Sequence, residues 1–175
     1  MEAKSEEAQP FFTKYTQQVP NGNIVTILEE QIEKTYSLLH PLSETQASFR
    51  YASDKWSIKD VVGHITDNER IWAYRLLRIA RGDNQCYPSY EQNQFVREAQ
   101  FDRIPFVDVL AELKCVRAST VFLLKSLPAE AWQYQGMLNQ DLLSVHQAAY
   151  AIAGHEIHHR RILTERYLSS FEHLA

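Results

Sequence analysis

His155 and His159 stand four residues apart. On a helix, that spacing puts both imidazoles on one face, a turn from each other. They belong to the run Ala148, Ile152, His155, His159, Ile162 and Arg166, whose 4-3-4-3-4 steps mark a seam facing other helices. Two readings follow. The pair forms two ligands of one metal ion, or it is a pair of core or groove histidines hydrogen-bonded to neighbours. Burying two imidazoles without partners is costly, which favours the metal. A third ligand must then come from elsewhere in the chain, and His64 is best placed. It lies at the edge of an apolar stripe, on one strip with Asn68, Ile71 and Arg75, so it faces a groove or the mouth of a bundle. His40 beside Pro41, His146 in a first helical turn and His173 in the tail read as surface residues. His158 is rotated away from the seam.

Three neutral imidazoles with one open position are the pattern of a catalytic divalent site. The ion acts as a Lewis acid and lowers the pKa of a bound water or thiol. Zinc or nickel is the expected ion, with iron and manganese as further options. Asp67, three residues after His64, is a candidate to orient a ligand or a bound water. Glu156, beside His155, is a second candidate base. For both carboxylates, a solvated surface charge is the plainer alternative. Arg75 reads either as an anchor for an anionic substrate or as half of an internal salt bridge.

His155-Glu156-Ile157-His158-His159 also matches H-E-x-x-H, in which two histidines bind zinc and the glutamate is general base. The metzincin extension requires glycine at 162 and histidine at 165, where this chain has Ile162 and Glu165. Sixteen residues after His159 leave little room for a distal ligand helix, and no β-edge is evident to hold an extended peptide. The protease reading is therefore set aside. Glu156-x-x-His159 is also half of a di-iron motif, but the second half is missing.

Of the five glycines, two directly precede proposed ligands: Gly63-His64 and Gly154-His155. A glycine inside a helix costs ~1 kcal/mol relative to alanine. In a chain that otherwise avoids glycine, the pair predicts close approach of a backbone, a metal or a substrate at one site shared by two helices.

The elements that position these residues are helical. Long proline-free stretches over 42–87 and 129–175 accommodate long helices. Apolar periodicity predicts four: about Ile24 to Leu39; from a Ser57-x-x-Asp60 start to Arg81-Gly82-Asp83; about Phe106 to Leu127; and from a Ser144-x-x-Gln147 capping box to about Leu168. The connections 40–56 and 83–104 are long, and the second, at ~20 residues, is expected to carry a short helix or a functional role. No alternating segment of useful length predicts a strand. The fold class is therefore all-α, a four-helix bundle with long interhelix connections. An N-terminal extension over 1–20 precedes a single domain over 21–170.

Composition bounds the partners. A chain of 175 residues with 5 Gly and 6 Pro is neither turn-rich all-β nor disordered. A net charge of −4 and the lack of a basic stripe exclude a nucleic-acid partner. Cys86 and Cys115 cannot form a disulfide framework or a thiolate zinc finger. The N-terminus lacks the basic start and apolar core of a signal peptide, and no apolar run is long enough to span a membrane. A cytoplasmic location with no membrane partner is expected.

Four segments carry a resemblance. They are Lys55-Trp56-Ser57-Ile58-Lys59-Asp60-Val61-Val62-Gly63-His64; Asp67-x-Glu69-Arg70; Tyr74-Arg75-x-x-Arg78-Ile79-Ala80-Arg81-Gly82-Asp83; and Ala153-Gly154-His155-Glu156-x-His158-His159-Arg160. Together they resemble the DinB-like (YfiT-type, damage-inducible) metal-binding family, over about residues 24 to 168. The resemblance implies a four-helix bundle and a divalent ion held by three histidines, which by position are His64, His155 and His159. It also implies a homodimer and a small-molecule substrate. Some relatives are similar to thiol S-transferases acting on a low-molecular-weight thiol, and others are described as metal-dependent hydrolases. The expected activity is thiol transfer. The alternatives are hydrolysis through a metal-bound water, with Asp67 or Glu156 as base, and a non-catalytic dimeric metal-binding bundle.

Overall fold

The computed structural model describes residues 11–172. His173 and the first ten residues lie outside them. In chain order the elements are α1 (Thr13–Thr16), α2 (Ile24–Leu39), α3 (Glu44–Ala47), α4 (Ile58–Ala80), β1 (Cys86–Tyr87), α5 (Gln92–Ala99), α6 (Phe106–Lys125), β2 (Gln135–Leu138), β3 (Asp141–Ser144), α7 (Val145–Ile162) and α8 (Ser169–Glu172). A π-helical stretch, Leu163–Leu168, joins α7 to α8, so the last helix runs past Leu168.

The helix starts follow local side-chain chemistry. Asn23 caps α2 by accepting the N–H groups of Val25 and Thr26. Both expected capping boxes are formed. At α4 the Ser57 hydroxyl accepts the Asp60 N–H at 3.0 Å, and the Asp60 carboxylate accepts the Ser57 N–H at 3.0 Å. Ser144 and Gln147 repeat the arrangement at α7, at 3.1 and 2.9 Å. At the other end of α4, Gly82 takes the left-handed φ of 85° that stops the helix.

The four long helices form the bundle. α4 packs against α6 and α7, and α2 packs against the same two. Helices α2 and α4 therefore occupy opposite corners, as do α6 and α7. The connections between those pairs must cross the end of the bundle, which accounts for the length of 40–56 and 126–144. The connection from α4 to α6 joins neighbours and does not need its length for topology. It folds instead into β1, α5 and a short 3-10 turn, Phe101–Arg103.

A three-stranded sheet closes the end of the bundle next to the start of α7. β1 pairs with β2 in parallel, and β2 pairs antiparallel with β3, with Met137 opposite both Cys86 and Leu142. This sheet departs from the expectation of no strands. Its strands are only two to four residues long. That is too short for a period of two to stand out, and the β2–β3 turn is made by Asn139 at φ 55° with no glycine after it. β3 leads directly into the Ser144 cap.

The apolar interior consists of two clusters, and on each long helix the change from one to the other falls at polar residues. One cluster holds Leu28, Trp72, Leu76, Val121 and Ile152. The other holds Ile32, Leu39, Ile65, Leu113 and Leu163. Between them lie Gln31 and Thr35 on α2, His64, Asn68 and Glu69 on α4, Arg117 on α6, and His155 and Glu156 on α7, all buried. The bundle is thus crossed by a polar layer. Residues 11–19, expected to be part of an extension, lie on this bundle: α1 packs along α7, and Phe12 is 1% exposed in the first cluster. No helix among the described residues is long and apolar enough to cross a membrane.

Candidate metal centre

α4 and α7 bring three histidines of the polar layer together. His64, His155 and His159 each offer a ring nitrogen, and the three nitrogens lie within 4.8 Å of one another. The Nε2 atoms of His64 and His155 are 3.1 Å apart. The three rings meet pairwise edge to face, with centroids 4.9, 4.9 and 4.5 Å apart. His64 and His155 are buried, and His159 is partly exposed.

Burial governs their protonation. Desolvation of the imidazolium lowers the His64 pKa to about 4. It holds His155 and His159 well below the ordinary histidine value, and the positive charge each would share with the others adds to the effect. All three rings are therefore neutral near pH 7, each with one lone pair to donate. This donor set fits a divalent ion. Two nitrogen ligands of a tetrahedral zinc at ~2.1 Å stand ~3.4 Å apart, close to the separation found between His64 and His155.

Neither carboxylate expected as a base belongs to this group. Glu156 is not the solvated surface charge of the plainer alternative: it is 0% exposed, and both of its carboxylate oxygens are engaged. One oxygen accepts from Thr35 Oγ1 at 2.5 Å and the other from Arg117 Nη2 at 2.6 Å. Consecutive residues on a helix point some 100° apart, so His155 faces α4 while Glu156 faces α2 and α6. Arg117 also takes Glu69 in a two-point contact and donates to the Leu28 carbonyl at 3.0 Å. Asp67 pairs with Arg70 at 3.3 Å at the surface, and partial burial raises its pKa.

The glycines admit protein rather than the ion. A Cβ on Gly63 would meet the Phe101 ring, 2.5 Å away, and one on Gly154 would collide with the Tyr15 backbone carbonyl. The close approach expected at these positions is real, but the approaching groups are Phe101 and α1. Through the Gly154 contact, Tyr15 is set edge-on to His155 at 5.3 Å.

Arg75 has no carboxylate partner among the described residues. It is 4% exposed, lies over the Trp72 ring at 5.3 Å, and donates to the Pro88 carbonyl at 2.5 Å. It lines a cavity of about 350 Å³, together with Lys14, Tyr15, Tyr90 and His155. Composition and spacing gave no sign of Lys14, Tyr15 and Tyr90, because they sit in segments without periodicity. Arg117 did leave a signal: it falls on the apolar face of α6 marked by Leu110, Leu113, Val121 and Leu124.

Comparison with known proteins places the fold and the family. The YfiT protein from Bacillus subtilis, described as a probable metal-dependent hydrolase with an unusual four-helix bundle topology, is similar in structure. Its TM-score is 0.73 at 17% identity, over 94% of this chain and 91% of that one. At this identity the likeness establishes the fold. A comparison with curated protein sequences finds no match. The model of the DinB superfamily matches residues 27–163, which include all three histidines. The chain belongs to the DinB superfamily.

Proposed function

We propose that the chain is a metal-dependent enzyme in which His64, His155 and His159 hold one divalent ion, zinc or nickel, and that it transfers a small thiol onto an electrophilic substrate. The observation that carries this reading is the convergence of three neutral ring nitrogens beside a cavity, in a group to which no fourth side chain contributes among the described residues. When bound, such an ion supplies Lewis acidity: a coordinating thiol loses its proton outright, whereas water is brought only to about neutrality.

The surrounding side chains favour the thiol. Glu156 is held by Thr35 and Arg117, and Asp67 by Arg70, so neither stands ready to move a proton at the site. Transfer requires little proton movement by the protein: the thiol's proton passes to solvent on coordination, and the new C–S bond displaces the electrophile's leaving group as an anion such as halide. Hydrolysis requires a proton to be delivered to the leaving group. Hydrolysis is the second reading, favoured by the description of YfiT as a probable metal-dependent hydrolase.

The test incubates the full chain, loaded with zinc or nickel, with a panel of biological thiols and an aryl halide electrophile. Metal-dependent conjugate formation is expected with at least one thiol. No conjugation across the panel, together with metal-dependent cleavage of ester or amide substrates, would replace this reading with the second.

A further inference from the structure

The cavity beside His155 has a chemical bias that the metal centre does not explain. One wall is Arg75, a cation buried to 4% exposure that reaches no carboxylate among the described residues. Burying an unpaired charge is expensive, and arginine, unlike lysine, keeps its charge under these conditions. The Pro88 carbonyl satisfies only part of the five-donor guanidinium. The Trp72 ring lies 5.3 Å from its Cζ, and Asn68 fixes the neighbouring Tyr90 hydroxyl at 2.8 Å. Lys14 adds a second positive charge at the rim. The carboxylate that lines the cavity, Glu91, accepts the N–H groups of Asn93 and Gln94 as the cap of α5, and so is already committed.

We infer that Arg75 is the anchor for a carboxylate on the small molecule that reacts at the three-histidine centre, with Lys14 as a weaker second contact. The guanidinium presents paired N–H groups of the kind a carboxylate takes up. The cavity's size, at the lower end for small-molecule sites, suits a ligand of a few heavy atoms with its carboxylate at Arg75 and its reacting end toward His155. The connection between α4 and α6 supplies part of this wall through Ser89, Tyr90 and Glu91. The inference rests on the proposed function for the role of the reacting end, but not for the anion contact itself.

The test compares 3-mercaptopropionate with 2-mercaptoethanol, which carries a hydroxyl in place of the carboxylate. Binding to the full chain is measured by calorimetry, with and without zinc. The wild type is expected to prefer the carboxylate thiol by about tenfold or more in both forms. Arg75→Gln removes the preference. Lys14→Gln, at an exposed position where folding is not at risk, reduces it by about threefold. Equal binding of the two thiols by the wild type, or a preference that survives both substitutions, overturns the inference. If the carboxylate preference holds and responds to Arg75 while the histidines take up no zinc, the anion site stands and the metal reading fails. If zinc is bound and no carboxylate preference appears, the reverse is true.

Discussion

The Nε2 atoms of His64 and His155, 91 residues apart in the chain, stand 3.1 Å apart inside the bundle. Two imidazole nitrogens at that distance can share at most one proton, and burial prevents the rings from gaining charge. The fold therefore holds lone pairs in the interior at some cost in free energy, which a divalent ion would offset on binding.

That cost is visible in the pH dependence of the metal-free protein. His64 has a pKa of about 4 in the fold against an ordinary value of 6.5. The unfolded chain takes up a proton below 6.5 and the folded chain does not until about 4, so the stability this group contributes is present above 6.5 and lost as pH falls through that window. His155 and His159 act in the same direction. Urea denaturation of metal-free protein is expected to show stability falling between about pH 6.5 and about pH 4, at up to ~1.4 kcal/mol per pH unit for each histidine. A His64→Gln variant should lose less over this range. Flat wild-type stability would contradict the buried neutral histidines.

Glu156 separates two accounts of the polar layer. If it serves the buried pair with Arg117, Glu156→Gln weakens the fold and leaves metal binding in place. Removing one partner of a buried ion pair costs ~3–5 kcal/mol, so a large fall in the thermal midpoint is expected at unchanged metal stoichiometry. Arg117→Met should be at least as damaging, since it leaves Glu69 and Glu156 facing each other. Loss of metal without loss of stability in Glu156→Gln would assign that carboxylate to the centre instead.

The glycine contacts make a prediction about α1. In Gly154→Ala the added methyl meets Tyr15 main chain, which cannot swing aside as a side chain does. Overpacking of this kind costs ~1–3 kcal/mol. Residues 11–19 should detach from α7, seen as faster amide exchange and earlier proteolysis in that segment. Gly63→Ala presses on the Phe101 ring instead and should loosen the 3-10 turn at 101–103. Unaltered exchange over 11–19 in Gly154→Ala would mean that α1 is not held by this contact.

Much of this architecture was legible in the sequence. The caps at Ser57 and Ser144 and the apolar periods carry local information, and they mark the long helices closely. The three histidines were legible because two shared a helix face and the third lay on an apolar edge. Other features depend on distant parts of the chain. Glu156 looked like a surface charge because its partner, Arg117, is 39 residues away, on the diagonally opposite helix α6, whose place in the bundle no local pattern reveals. The small sheet depends on pairing between residues some fifty positions apart, such as Cys86 and Met137. Gly63 and Gly154 signalled close approach, but a missing side chain does not say what comes near.

The central claim, that His64, His155 and His159 hold one divalent ion, is tested most directly by metal analysis of the purified protein and its single alanine variants. The wild type is expected to carry about one equivalent of zinc or nickel per chain, and His64→Ala, His155→Ala and His159→Ala each to fall below about a tenth of that while remaining folded by circular dichroism. Variants that stay folded and keep the wild-type metal content would contradict it.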